Sequence, residues 1–261
     1  METLEESYSW CRTLATEHYE NFPVASILVP APLRRHMVAV YAISRLGDDI
    51  GDEPWTESED ERLEALSFLD AAVDGLIDTT GHPIFMALHA TMDACNLPPT
   101  LFHRLFEAFR QDSHFRAPQT WEDLTAYCHF SANPVGELVL RIAGNPTDEA
   151  INRSDAVCTA LQITNMIQDQ SRDAAIGRTY LPVSTAEALE STRQLYAYGA
   201  SVVDHITSWR MRQEIRLIVL SGHRMLERCA ARADHLLQER PALTKTDYLR
   251  ILLRLLVGKR L

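Results

Sequence analysis

Apolar residues recur at helical spacing along the chain, and no segment alternates apolar and polar residues as a half-buried strand would. This pattern predicts an all-α protein. Proline and capping-box spacings mark helix starts at Pro32, Ser58 and Thr120, and Pro134 is expected to kink the helix that contains it. Helices are predicted over residues 4–20, 32–52, 58–78, 83–95, 98–115, 120–143, 148–175, 201–221, 223–239 and 244–257, with a short one from 184.

The sequence predicts a single domain, residues 1–261, because it contains no Gly/Ser-rich linker, no low-complexity stretch and no internal repeat. Hydrophobic residues make up 46% of the chain, which is enough for a large core.

Charge and cysteine usage narrow the function classes. The net charge of −11 argues against nucleic acid as a partner, because phosphate contacts need a basic face. The five cysteines are odd in number and lack CxxC spacing, which favours a reduced compartment. The N-terminus has no signal-peptide pattern, and no apolar run reaches the length of about 20 residues that spans a bilayer. We therefore expect a cytoplasmic protein, with any membrane contact peripheral and at the inner face.

The C-terminal segment 245–261 is basic and amphipathic within an otherwise acidic protein. A surface helix of this kind can lie on anionic lipid. The alternative is a packing helix whose cations complement the negative end of its own dipole.

A first acid cluster comprises Asp48, Asp49, Asp52 and Glu53, at the end of an apolar segment that also carries Arg45. In a helix Asp48 and Asp52 share one face, where like charges cost about 0.2–0.5 kcal/mol per pair. A divalent cation reverses this effect, since Mg²⁺ prefers carboxylate oxygens and completes its shell with water and substrate phosphate. The alternative is a solvated acidic helix end.

A second polar stripe, made of Gln162, Asn165, Asp169 and Asp173, lies on one side of the predicted helix 148–175. Apolar residues fill much of the remaining surface, so the stripe is expected to face the interior, where an unpaired carboxylate is costly. One solution is a buried salt-bridge network with Arg or Lys. The other is a cavity with aspartates on two facing walls, where Mg²⁺ holds a diphosphate and promotes its departure.

These motifs resemble those of the squalene/phytoene synthase family, the head-to-head branch of the all-α isoprenoid synthases. The segments that carry the resemblance are Tyr41–Asp52, Leu161–Asp173 and Gly177–Pro182. The resemblance covers most of the chain and implies an isoprenoid-synthase helical bundle with a central active-site cavity.

The resemblance also implies roles for individual residues. The implied metal ligands are Asp48, Asp49, Asp52, Asp169 and Asp173, with Asp49 in a supporting role. The implied substrate-binding residues are His18, Arg45, Asp112, Gln162, Asn165, Arg178 and Tyr180. Tyr127 resembles an active-site tyrosine of the family.

Three departures from the condensing members of the family indicate one subfamily. The chain has Asn21-Phe-Pro-Val in place of a serine-rich stretch, Gln168 in place of an arginine, and the segment 131–136 (Ser-Ala-Asn-Pro-Val-Gly) in place of a small apolar run. This set resembles the hydroxysqualene synthases of bacterial hopanoid biosynthesis. It implies loss of diphosphate from presqualene diphosphate, rearrangement of the cation and capture by water. Ser131 and Asn133, near Tyr127, are expected to position that water, which makes these three the catalytic candidates.

The resemblance predicts Mg²⁺ as the cofactor, with Mn²⁺ as an alternative, and no need for NADPH. The expected partners are an isoprenoid diphosphate and, through functional coupling, other hopanoid-pathway enzymes. Two alternatives stay open. One is a head-to-head enzyme that condenses two allylic diphosphates such as farnesyl diphosphate into presqualene diphosphate, squalene or phytoene. The other is a catalytically silent prenyl-lipid-binding or assembly partner, against which the intact aspartates argue.

Overall fold

The computed structural model describes residues 3–17, 26–52, 55–56 and 58–257. Within these ranges every regular element is a helix, which confirms the all-α prediction. The chain divides into two compact units, Met1–Phe115 with Glu137–Pro146, and Arg116–Gly136 with Thr147–Leu261.

The first unit is organised around α2, which packs against the other four helices that lie wholly within it. Its helices are α1 (Leu4–Glu17), α2 (Ala31–Asp52), α3 (Glu59–Val73), α4 (Pro83–Cys95) and α5 (Pro99–Ser113). Ile43 of α2 and Phe102 and Phe106 of α5 are fully buried in its core. Ser58 caps α3 as predicted, since its hydroxyl accepts a hydrogen bond from the Glu61 backbone N–H at 3.3 Å.

The second unit is organised around α8, which packs against α6, α10 and α11. Its elements are α6 (Trp121–Ser131), α8 (Asp148–Gln168), α9 (Gln170–Ala175), α10 (Thr185–Gly199), α11 (Trp209–Ala230) and α12 (Lys245–Val257), with short 3₁₀ turns at Ala200–His205 and Ala233–His235. A further helix, α7 (Asn133–Ile142), begins in this unit and ends in the first.

Several predicted helix boundaries were wrong, and the helix predicted from residue 201 begins only at Trp209, after the 3₁₀ turn Ala200–His205. The predicted helix 120–143 is two helices that meet at Ala132, next to the proline expected to kink it. The predicted helix 58–78 ends at Val73, because Gly75 adopts a left-handed backbone with φ of +70°. The predicted break near residue 222 does not exist, since α11 runs through it.

Gly222 serves packing and does not end a helix. A Cβ atom at this position would overlap the Leu161 side chain of α8 and the Tyr196 hydroxyl of α10. Only a glycine lets α11 approach these two helices so closely.

Candidate active site

The last two turns of α2 carry the first acid cluster and its counter-charge. Arg45 Nη1 lies 3.1 Å from Asp48 Oδ2, and Arg45 Nη2 forms a second ion pair with Asp49. Burial works to lower the pKa of Arg45, but the charges of Asp49 and Asp48 outweigh it, so the pKa is raised and the guanidinium stays charged. The cluster is therefore partly neutralised within its own helix, while Asp48 keeps 45% of its side chain exposed.

Two glycines let this acidic end of α2 lie close against α5. A Cβ atom on Gly47 would come within 2.7 Å of Phe109 Cε2, and one on Gly51 within 3.2 Å of Phe109 Cβ. The Phe109 side chain thus lies along a groove formed by glycines one helical turn apart. Both glycines lie within the segment Tyr41–Asp52, but the sequence alone predicts no role for them, because Phe109 is distant in sequence.

The structure describes only some of the predicted site residues in this unit. His18 lies outside the described residues, as does Asn21-Phe-Pro-Val. Asp52 is the last residue of α2, and its side chain is also outside them. Asp112 is half-buried on α5, three residues beyond Phe109.

The second acid cluster lies where α8 passes into α9. Asp169 interrupts the predicted continuous helix, since it ends α8 and precedes α9. The helical spacing survives the interruption, because the Asp173 N–H donates to the Asp169 carbonyl at 2.9 Å. The two aspartates therefore remain one helical turn apart, and half-buried Asn165 and Gln162 precede them on α8.

The Asp169 carboxylate is held by an arginine that is distant in sequence. Arg240, 71 residues later, donates through Nε to Oδ1 and through Nη2 to Oδ2, the latter at 3.3 Å. Gln168 fixes the same segment, because its Nε2 donates to the Pro241 carbonyl at 2.7 Å from a site that is only 2% exposed. The salt bridge foreseen as one solution for this cluster therefore exists for Asp169. No local sequence signal indicates its partner.

Among the described residues, the Asp173 carboxylate has no partner comparable to Arg240, and its pKa is raised. Burial and the charge of Asp169 raise its pKa to about 6, and Arg178 opposes that shift. Backbone geometry brings Arg178 close, since its N–H donates to the Asp173 carbonyl at 2.8 Å. A further positive charge beside Asp173 would therefore stabilise its ionised carboxylate.

The connector Gly177–Pro182, which follows α9, contacts the predicted active-site tyrosine, Tyr127. The rings of Tyr127 and Tyr180 lie 6.2 Å apart between centroids and are inclined at 44°. Arg178 Nη1 reaches the Tyr180 hydroxyl at 3.5 Å. The structure thus brings three predicted residues together within this unit.

Ser131 lies one helical turn beyond Tyr127, at the end of α6. Its hydroxyl oxygen is buried and has no hydrogen-bond partner among the described residues. Asn133 is 7% exposed, and its Oδ1 accepts a hydrogen bond from the Thr159 hydroxyl of α8 at 3.0 Å. A buried hydroxyl without a protein partner is a natural site for a bound water. Sequence reasoning missed Thr159, which is distant in sequence from Asn133.

The donor atoms of both clusters suit Mg²⁺. Among the described residues, no group of three or more acids, histidines or cysteines could hold a metal by itself. Each cluster instead offers carboxylates in pairs, which matches an ion that takes one or two carboxylates and fills its shell with water and substrate phosphate. Burial and, after it, the charge of Asp169 raise the pKa of Asp173, and a bound cation would oppose both effects by stabilising the ionised carboxylate.

Comparison with known proteins decides the family. The family described as squalene/phytoene synthase matches residues 15–188, which include both acid clusters and the connector. This chain belongs to the squalene/phytoene synthase family. It is therefore an enzyme of isoprenoid biosynthesis, of the head-to-head type, and the predicted fold class and family membership are confirmed.

Individual relatives agree with this membership. A hydroxysqualene synthase of Zymomonas mobilis is 32% identical over 80% of this chain and 68% of its own length. A second hydroxysqualene synthase, from Sinorhizobium fredii, is 29% identical over 80% of this chain and 78% of its own length. The crystal structure of squalene synthase HpnC from Alicyclobacillus acidocaldarius is similar with a TM-score of 0.79 and 36% identity, over 89% of this chain and 95% of that one.

Two further observations concern the part of the chain beyond the family match and the apolar character of the helices. Arg240 and α12 both lie after the residues that match the family. In the part of the chain that the structure describes, no helix combines the length and the apolar character needed to cross a membrane.

Proposed function

We propose that this enzyme converts presqualene diphosphate and water into hydroxysqualene and diphosphate. The observation that carries the proposal is the buried hydroxyl of Ser131, which has no hydrogen-bond partner among the described residues and lies one helical turn from Tyr127. A condensing enzyme has to keep water away from its cation, whereas a hydrating enzyme has to hold one water beside it. The names of the two hydroxysqualene synthase relatives favour the same reaction.

Binding of the diphosphate falls to the two acid clusters. We assign Mg²⁺ coordination to Asp48, Asp49, Asp52, Asp169 and Asp173, and Mn²⁺ is expected to substitute. When bound, the metal neutralises the negative charge that develops on the departing diphosphate. Arg45, Arg178, Gln162, Asn165, Tyr180, Asp112 and His18 are proposed to contact the substrate.

The chemical step breaks the C–O bond of the cyclopropylcarbinyl carbon, and its electron pair leaves with the diphosphate. The rings of Tyr127 and Tyr180 offer negative π faces to the rearranging cation. The water oxygen then forms the new C–O bond and loses one proton. The reaction needs no reductant, so NADPH is not expected to take part.

Ser131 and Asn133 have different tasks in holding the water. Thr159 already donates to Asn133 Oδ1, so the proposal assigns the Asn133 Nδ2–H as the group that donates to the water. The Ser131 hydroxyl has acceptor capacity for a water hydrogen, which leaves the water lone pair for the cation. Both residues position the nucleophile and neither has to remove its proton.

Incubation of the purified protein and Mg²⁺ with presqualene diphosphate, and separately with farnesyl diphosphate, tests the proposal. We expect hydroxysqualene from the first substrate and nothing from the second. Turnover of farnesyl diphosphate would instead identify a condensing enzyme, and turnover of neither would favour a lipid-binding or assembly partner. Ser131→Ala should divert at least half of the product to hydrocarbon, while Ser67→Ala, a change of an exposed serine on α3, should leave the alcohol unchanged.

A further inference from the structure

One side of the C-terminal helix α12 is buried against the protein, and the other side is exposed to solvent. Its buried side holds Asp247 and Ile251, which are 1% and 3% exposed. The opposite half presents six apolar side chains that are 51% to 82% exposed, namely Tyr248, Leu249, Leu252, Leu253, Leu256 and Val257. An apolar surface of this extent on one helix is typical of an interaction site.

An ion pair between the buried Asp247 and the half-buried Arg224 fixes the direction in which this apolar face points. Asp247 accepts hydrogen bonds from Arg224 Nε of α11 at 2.6 Å and from the Thr244 backbone N–H at 2.8 Å. The Thr244 hydroxyl also donates to it at 2.7 Å. The helix is therefore held in place before any partner arrives, so little ordering entropy opposes binding.

The charges on α12 identify the kind of partner. Its exposed charged residues are all basic, namely Lys245, Arg250 and Arg254, whereas the only acid of the helix is the buried Asp247. The chain as a whole has a net charge of −11. A basic helix with a wide apolar face in an acidic protein complements anionic lipid, which attracts the cations and accepts the apolar side chains.

A second copy of the chain fits this surface less well. If two α12 helices met through their apolar faces, the arginines at the edge of that face would come close to those of the other copy. The helix has 13 residues and is about 20 Å long, shorter than the bilayer core of about 30 Å, so a membrane-bound α12 lies along the surface.

We infer that α12 docks the enzyme onto the surface of an anionic membrane, with its leucines in the acyl region and its basic residues among the headgroups. This inference does not depend on which isoprenoid diphosphate the enzyme uses. It explains why a polar, acidic protein keeps an apolar, basic helix rigidly exposed.

Vesicle co-sedimentation of the full chain tests the inference without any substrate. We expect binding to phosphatidylcholine vesicles that contain phosphatidylglycerol, weak binding to phosphatidylcholine alone, and loss of binding as salt rises from about 0.05 M to about 0.5 M. Arg250→Glu/Arg254→Glu should weaken partitioning at least about thirty-fold, from about 1 kcal/mol for each basic residue. Leu252→Gln/Leu256→Gln should weaken it at least about tenfold.

Matched controls separate docking from general effects of charge and hydrophobicity. Arg116→Glu/Arg193→Glu makes the same charge change on exposed residues elsewhere, and Ile27→Gln/Leu76→Gln removes two other exposed apolar side chains. Both should bind vesicles like the unchanged protein. Equal losses in the controls, or no binding of the unchanged protein at low salt, would overturn the inference. So would a dimer in sedimentation velocity that Leu252→Gln/Leu256→Gln dissociates while vesicle binding is absent, because the occupant would then be a second copy.

Discussion

The two acid clusters obtain their counter-charge in different ways. On α2, Arg45 precedes Asp48 and Asp49 by three and four residues, so the helix itself brings the charges together. After α8, Asp169 is paired with Arg240, which lies 71 residues away in the sequence. We infer that the first cluster is balanced wherever α2 forms, whereas the second depends on the packing of the segment before α12.

The largest expected effect is a loss of activity, and we expect it to be the same for both clusters although their counter-charges differ in origin. Asp48→Asn and Asp169→Asn should each lower kcat about 10³-fold, because each removes a negative oxygen from a proposed metal ligand. Turnover of the isoprenoid diphosphate at saturating Mg²⁺ measures the effect. Asp60→Asn, on the exposed first turn of α3, is the control and should be neutral. A substantial loss from only one of the two aspartates would show that one cluster alone carries the metal.

A second prediction concerns the close packing that supports the first cluster. Gly47→Ala forces a methyl group into the Phe109 ring, so we expect destabilisation by about 1–3 kcal/mol. In a chain of this size that lowers Tm by roughly 2–4 °C per kcal/mol. Phe109→Leu in the same protein should restore part of the loss, because it removes the ring atoms in question. A rise in Tm with Gly47→Ala would mean that α2 is open at this position and gains only helix propensity.

The third prediction removes the counter-charges themselves. Arg240→Ala should cost about 1–2 kcal/mol, because it leaves Asp169, 25% exposed, without its charged hydrogen bonds. Arg45→Ala removes only pairs within one helix, which are worth about 0.3–0.5 kcal/mol each, and should change Tm less.

Arg172 provides the matched control for this comparison. It lies 3.8 Å from the same Asp169 carboxylate but is 69% exposed, so Arg172→Ala should leave Tm unchanged in thermal unfolding. If Arg45→Ala proved as costly as Arg240→Ala, the distinction between local and long-range charge balance would be lost.

The same distinction explains which parts of the molecule could be predicted from sequence. The caps at Ser58 and Thr120 and the spacing within each acid motif depend on residues within one helical turn, and the structure has these features as predicted. The predicted break at Gly222 is wrong because the packing of this glycine against Leu161 and Tyr196 is visible only in three dimensions. Arg240 and Thr159 could not be predicted from sequence for the same reason, since no short-range pattern connects them with Asp169 and Asn133.

The smallest expected effect tests whether the second cluster still carries excess negative charge when its ion pair with Arg240 is included. The pKa of Asp173 is raised to about 6, above the value of about 3.9 for an unfolded chain, mainly by burial and then by Asp169. Between these two values the folded protein binds more protons than the unfolded one, so this residue makes stability fall as pH rises from about 4 to 6. Asp173→Asn should therefore stabilise the metal-free protein at neutral pH by less than about 1 kcal/mol, because the site is partly solvated. Thermal unfolding should show this as a small rise in Tm at neutral pH and no effect near pH 4.

Asp247 gives the opposite sign in the same unit and serves as the control. Burial works to raise its pKa, but hydrogen bonds from Thr244 and Arg224 lower it, so its stabilisation is present above about pH 4 and is lost on further acidification. Asp247→Asn should accordingly lower Tm at neutral pH. Added Mg²⁺ should raise the Tm of the unchanged protein and raise that of Asp173→Asn less, since the cation relieves the repulsion that the substitution has already removed. Asp173→Asn could instead lower the Tm of metal-free protein at neutral pH. That result would mean that Arg178 neutralises Asp173 as fully as Arg240 neutralises Asp169. The second cluster would then have no excess negative charge for a metal to neutralise.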